Sequence, residues 1–208
     1  MKILSNIIEK FSNSELGGVN SHKLYSPPYR SFLSLEKIQA LHPKLAAVNI
    51  LLYPKSHQWY FPLIVRSFSP RDCHSGQISL PGGKYESYDV SFEETAKRET
   101  FEELGIDKDS MSIIKALTPI YIPSSNFYVY AYVSWMDKTP IFSIQESEAQ
   151  ELIEIPVNSL FNLPDPPEMK ILHSTQGKKV PVIDFKGHII WGATSMILSE
   201  FRDLMKKV

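Results

Sequence analysis

The sequence has one cysteine, Cys73, in 208 residues. An intrachain disulfide is therefore excluded, and this usage fits a reducing compartment. No run approaches the roughly 20 apolar residues that a membrane-spanning helix requires. Neither sign of charge dominates: 22 Lys and Arg against 23 Asp and Glu leave a formal net charge of −1. That balance offers no global attraction to nucleic acid or to an anionic membrane surface. The first residues, MKILSNIIEKF, lack a long apolar core and a small-residue cleavage site, so no signal peptide is expected. The expected location is cytoplasmic. What is there is ordinary for a globular domain: 43% hydrophobic and 22% charged residues. A disordered chain, a collagen-like fibre and a coiled-coil rod are excluded.

Hydrophobic periodicity supplies the organisation. Ile3, Leu4, Ile7, Ile8 and Phe11 fall on one helical stripe, predicting an amphipathic helix over residues 1–12. Residues 13–30 carry Gly17, Gly18, Pro27 and Pro28 and read as a loop. Ser34 is placed to cap a short helix reaching Leu41. Strand-like runs follow at 45–53, 59–66, 77–80, 111–117, 127–135, 151–155, 170–175 and 180–185. Pro54–Gln58 is short enough for a hairpin, and residues 161–170, with three prolines, read as a loop. A last helix is expected over 193–207. Residues 1–44 thus form an N-terminal helical extension, and residues 45–208 one α/β domain with a mixed sheet covered by helices on both faces.

The informative segment is SFEETAKRETFEELGI, residues 91–106. Ser91 and Glu94 form a capping box, and Gly105 is the C-terminal stop. On a helical wheel Phe92, Ala96, Thr100 and Leu104 form the core-facing stripe. Glu103 falls inside that stripe, Glu99 on its edge and Glu102 beside Glu99. Carboxylates buried without compensation are costly, and Glu99 repels both neighbours at i+3 and i+4. A solvated acidic face is one reading. The other is compensation by Arg98 and by a divalent cation; oxygen-only donors suit Mg²⁺ or Mn²⁺.

RETFEELGI at 98–106, preceded by PGGK at 81–84, resembles the box of the Nudix hydrolase superfamily. Arg98, Glu99, Glu102, Glu103, Gly105 and Ile106 fall in register. Thr100 replaces a bulky apolar residue, Asp89 stands at the first Glu position, and eight residues rather than seven separate it from Arg98. The longer spacing resembles the coenzyme A pyrophosphatase branch, as do PLIVRSFSPRDCHSGQISLPGGK at 62–84, YIPSSNF at 121–127, ESEAQELIEIPVNSL at 146–160 and HIIWGATSMI at 188–197.

The resemblance implies a Nudix-type α/β/α sandwich with a mixed β-sheet. It implies metal-dependent hydrolysis of a diphosphate linked to another group, with coenzyme A or an acyl-CoA as the expected substrate. The products would be 3′,5′-ADP and phosphopantetheine or its acyl form. Glu99 and Glu103 match the main metal ligands, Glu102 a further one, and the Gly82 carbonyl a backbone ligand. Arg98 matches a residue that orients the carboxylates. Glu148 is the first choice of general base and Glu103 the second. Arg66, Arg71, Gly76, Gln77 and Ser125 are candidates for holding the substrate, the arginines through a bidentate fork to phosphate. Trp135 and Trp191 are read as core aromatics. The implied partner is a small nucleotide diphosphate, with no nucleic acid, no membrane and room for a homodimer. Another substrate such as ADP-ribose, or a non-catalytic nucleotide-binding module, are the alternatives.

Overall fold

The structure, a computed structural model, describes residues 9–67 and 75–207. Helices α1 (Gly18–Leu24) and α2 (Leu35–Ala40) precede the first strand. Strands β1 (Lys44–Lys55), β2 (Gln58–Arg66), β3 (Ile78–Ser79) and β4 (Gly82–Lys84) lead to helix α3 (Phe92–Leu104). Then come β5 (Ser112–Ala116), β6 (Ile120–Ile122), β7 (Phe127–Trp135) and β8 (Ala149–Pro156). Strands β9 (Glu168–Ile171), β10 (Lys179–Phe185) and β11 (His188–Trp191) precede the last helix, α4 (Gly192–Met205).

Two sheets form where one was expected. The larger has eight strands in the order β3-β2-β1-β7-β5, with β4 and β6 paired onto β1 and β7, and β8 onto β2. β1 and β7 are parallel over nine residue pairs, and the other described pairs are antiparallel. The smaller sheet is β9-β10-β11. β1 and β2 meet through Ser56 and His57, both at positive φ, which is the two-residue turn whose twist matches a hairpin.

The layers follow from the alternation of β1. Ala46, Ile50 and Leu52 face a core shared with Met196, Ile197, Phe201 and Leu204 of α4. Ala47, Leu51 and Tyr53 face the other way, toward Ala96 and Leu104 of α3. One sheet is thereby sandwiched between two helices, as expected for an α/β/α fold. The α3 stripe is as the wheel places it: Ala96, Thr100 and Leu104 are fully buried, and Phe92 stacks on Tyr130 with ring centres 4.0 Å apart.

Thr100 has a physical reason in place of a bulky apolar residue. The Asn49 amide on β1 donates to its hydroxyl at 3.2 Å, and Ser134 Oγ donates to Asn49 Oδ1 at 2.7 Å. A larger apolar side chain would leave these buried polar groups short of a partner.

Several expectations need correcting. α1 lies in the segment read as a loop; no side chain caps it, but the Gly18 N–H donates to Glu200 Oε1 on α4 at 2.6 Å. Tertiary contact, not propensity, makes this helix. The strand expected at 170–175 is instead β9 followed by a 3₁₀ turn at His173–Thr175, and the loop expected at 161–170 is shortened at both ends. Ser91 caps α3 by accepting from the Glu94 N–H, but the Glu94 carboxylate bonds Lys108 Nζ at 2.6 Å instead of closing a capping box. The helix expected over 1–12 lies mostly outside the described residues, of which 9–13 are helical with Phe11 buried. Among the described residues no helix is long and apolar enough to cross a membrane.

Candidate active site

Helix α3 presents its carboxylates to the turn between β3 and β4. Arg98, 9% exposed, organises them. Its Nε donates to Asp89 Oδ1 at 2.8 Å and its Nη2 to Asp89 Oδ2 at 2.9 Å, a bidentate fork. Nη1 donates to Glu99 Oε1 at 2.7 Å and Glu102 Oε2 at 2.9 Å, and Nη2 also reaches the Lys84 carbonyl at 2.9 Å. One guanidinium thus ties α3 to the preceding loop and to β4. Asp89 accepts further from the Glu86 N–H and Thr95 Oγ1. The Arg98 pairing, above all, holds the Asp89 carboxyl down to about 2, and Asp89 in turn raises Arg98. Arg98 thereby fixes where the Asp89, Glu99 and Glu102 carboxylates lie.

Two glycines bring the turn close enough. Gly82 has φ +151°, and a Cβ there would strike the Ala47 carbonyl and lie 2.6 Å from Val48 Cα. Its N–H donates to Glu103 Oε2 at 2.9 Å. At Gly83 a Cβ would lie 2.5 Å from the carboxyl carbon of Glu99. Both positions therefore need glycine for close approach. Glu103 is 2% exposed, and burial pushes its carboxyl up to about 8 against the opposing pull of the Gly82 N–H. Burial also raises Glu99, and Arg98 opposes that rise.

A third carboxylate arrives on the segment before β8. Ser143 and Gln145 donate backbone N–H groups to the carbonyls of Leu104 and Glu103, pinning this segment to the end of α3. The Glu148 carbonyl accepts from the Ser67 N–H after β2. Glu148 then lines a cavity of about 200 Å³ together with Arg66, Ser67, Gly82, Gly83, Glu99 and Glu103. It also raises the pKa of both Glu99 and Glu103 electrostatically. Glu146 and Glu151 do not line this cavity. Glu102 stays outside it too, exposed and paired with Arg98.

A second, larger cavity of about 870 Å³ shares Arg66, Gly82 and Gly83 with the first. Gln77 and Ser125, two of the candidates for holding the substrate, line it. Gly76 lines neither; its N–H donates to the Arg66 carbonyl in a turn at φ +69°. Arg71, with Cys73 and His74, lies outside the described residues. Trp135 packs on the main core, but Trp191 lines the large cavity and so is not simply a core aromatic. The N-terminal segment, which sequence reasoning left without a role, supplies Tyr29, Arg30 and Leu33 to the same wall. An Arg closely following Pro27 and Pro28 was the one available signal.

Among the described residues no three His, Cys, Asp or Glu side chains are close enough to hold a metal by themselves. Hard oxygen donors remain, from Glu99 and Glu103 on one helix and Glu148 on the segment before β8. Such a set suits a cation that binds through one or two carboxylates and completes its shell with water and phosphate oxygens.

A family model described as NUDIX domain matches residues 43–174. The uncharacterized Nudix hydrolase NudL of Pectobacterium atrosepticum is 29% identical over 138 residues, covering 66% of this chain and 71% of that protein. The chloroplastic Nudix hydrolase 22 of Arabidopsis thaliana is 29% identical over 164 residues, covering 75% of this chain. The chain spans only about half of that relative, 53%. The crystal structure of the Nudix hydrolase RenU from M. smegmatis shares the fold, with a TM-score of 0.55, 13% identity and coverage of 80% of this chain and 88% of that one.

Proposed function

The chain belongs to the Nudix hydrolase family, and from that premise we propose that it hydrolyses a diphosphate bond in coenzyme A or an acyl-CoA with Mg²⁺ or Mn²⁺. The products are 3′,5′-ADP and phosphopantetheine or its acyl form. The observation that carries this reading is the junction of the two cavities. A small one holds the carboxylates, a large and mainly apolar one can take an extended organic group, and Arg66, Gly82 and Gly83 stand where they meet. A diphosphate with a long substituent fits such a pair.

Glu99 and Glu103 would hold the cation, which supplies neutralisation of phosphate oxygens and a lowered pKa for bound water. Arg98 keeps Glu99 facing Gly83 by holding one of its oxygens. The Gly82 N–H does the same for Glu103. Arg66 meets the diphosphate where the cavities join. Glu148, which lines the same small cavity, accepts the proton of the attacking water. Apolar residues of the larger cavity, such as Val48, Leu80 and Phe127, exclude water from the bound substituent.

A comparison of kcat/KM for coenzyme A, acetyl-CoA and ADP-ribose in Mn²⁺, with products identified, tests the proposal. The expected result is 3′,5′-ADP from coenzyme A and the highest kcat/KM for a CoA compound. Turnover of ADP-ribose with no product from coenzyme A at high enzyme concentration would replace the substrate assignment.

A further inference from the structure

The large cavity has a charge pattern that hydrolysis of a diphosphate alone does not explain. Among the described residues its lining contains three cationic residues, Arg30, Arg66 and Lys84, and no Asp or Glu. Arg66 stands at the carboxylate cavity, and Lys84 pairs with Glu86 at 3.1 Å. Arg30 stands elsewhere. Its Nη2 donates to the carbonyl of Tyr121 on β6. The run from β4 to β6 crosses β1 and β7, which is three strand spacings. At about 4.8 Å each, Arg30 is anchored about 14 Å across the sheet from the Gly82 turn.

The surroundings of Arg30 suit an anion. Ser31, the next residue in the chain, and Ser124 and Ser125, in the loop after β6, line the same cavity. The Lys178 ammonium lies 4.6 Å from the centre of the Tyr29 ring, adding positive charge nearby. Arg30 is half-buried, and burial lowers its pKa with no carboxylate among the causes. A guanidinium held partly out of water and bonded to a neutral carbonyl retains donors for a charged partner.

We infer that Arg30 binds a second anionic group of the substrate, a phosphate monoester remote from the diphosphate that is cleaved. The inference rests on the reading of the two cavities as one substrate site. It makes Arg30, from the N-terminal segment, a specificity-determining residue. The enzyme then favours diphosphates carrying an additional terminal phosphate over the same compounds without it.

The test compares wild type, Arg30→Gln and Arg30→Lys on coenzyme A and on dephospho-coenzyme A. Loss of a charge-assisted hydrogen bond should raise KM for coenzyme A by about 10- to 100-fold in Arg30→Gln, with a much smaller change in kcat. Dephospho-coenzyme A should be affected less than threefold, and Arg30→Lys should restore part of the preference. If Arg30 merely anchors its segment through the Tyr121 carbonyl, both substrates weaken equally and the inference is overturned. Calorimetric binding of 3′,5′-ADP and 5′-AMP decides the point without turnover. Wild type should bind 3′,5′-ADP more tightly and Arg30→Gln should lose the difference; equal affinities in wild type overturn the inference. Absence of turnover with a retained binding difference would refute the hydrolytic reading alone.

Discussion

Gly83→Ala should separate catalysis from folding. A Cβ at position 83 would lie 2.5 Å from the Glu99 carboxyl carbon and 2.7 Å from its Oε1. An ordinary contact begins near 3.4 Å, so the carboxylate must retreat by about 1 Å. It cannot swing freely, because Arg98 holds Oε1 and is itself fixed by Asp89 and the Lys84 carbonyl. A displacement of about 1 Å at a reacting group costs on the order of 10²-fold in rate. Stability should change little. Replacing Gly by Ala gains about 0.4–1 kcal/mol through the unfolded chain, and weakening the Glu99–Arg98 bond loses about 1–3 kcal/mol. The net loss should stay below about 2.6 kcal/mol. Gly82→Ala is the contrast, since its Cβ meets backbone atoms of Ala47 and Val48 at a positive φ. Neither can yield, and a loss of about 3 kcal/mol or more is expected. Steady-state hydrolysis in Mn²⁺ and urea unfolding, run on both variants, provide the comparison. Wild-type turnover by Gly83→Ala, or equal destabilisation of the two variants, would refute the placing of Glu99 against this glycine.

Three further outcomes are expected. Asp89→Asn should cost about 2 kcal/mol, because a carboxyl held at about 2 rather than 3.8 favours the folded state by roughly that amount at neutral pH. This contribution is present above pH 3.8 and lost as pH falls through about 2, so unfolding curves of wild type and variant should converge in acid. Glu148→Gln should lower kcat by about 10²- to 10⁴-fold, while Glu146→Gln and Glu151→Gln stay near wild type in the same assay. Glu200→Ala should destabilise by about 3–5 kcal/mol in urea unfolding, since the buried carboxylate accepts from Gly18 N–H, Thr118 N–H and Thr118 Oγ1.

Helix α3 was legible because its start, stripe and stop agree: a capping Ser91, a 3.6-residue apolar repeat and a left-handed Gly105. The conflict of Glu99 and Glu103 with that stripe pointed to the cavity they line. Asp89 was visible only as an occupant of a motif position; its fork with Arg98 depends on a loop conformation that spacing does not encode. α1 was illegible because its first N–H, that of Gly18, is satisfied by Glu200, 182 residues away, rather than by a neighbouring cap. The β9-β10-β11 sheet was obscured by the prolines at 164, 166 and 167, which mark a turn but do not reveal that pairing resumes at Glu168. The place of Arg30 on the cavity wall is likewise a product of tertiary packing, through the Tyr121 carbonyl.

The most direct measurement is anomalous diffraction from crystals of the protein soaked in Mn²⁺, paired with the hydrolysis rate at the same concentration. The expected result is Mn²⁺ density between Glu99 and Glu103 beside the Gly82 turn, lost together with activity in Glu103→Gln. Mn²⁺-dependent turnover with no density there at saturation, or unchanged turnover in Glu103→Gln, would contradict it.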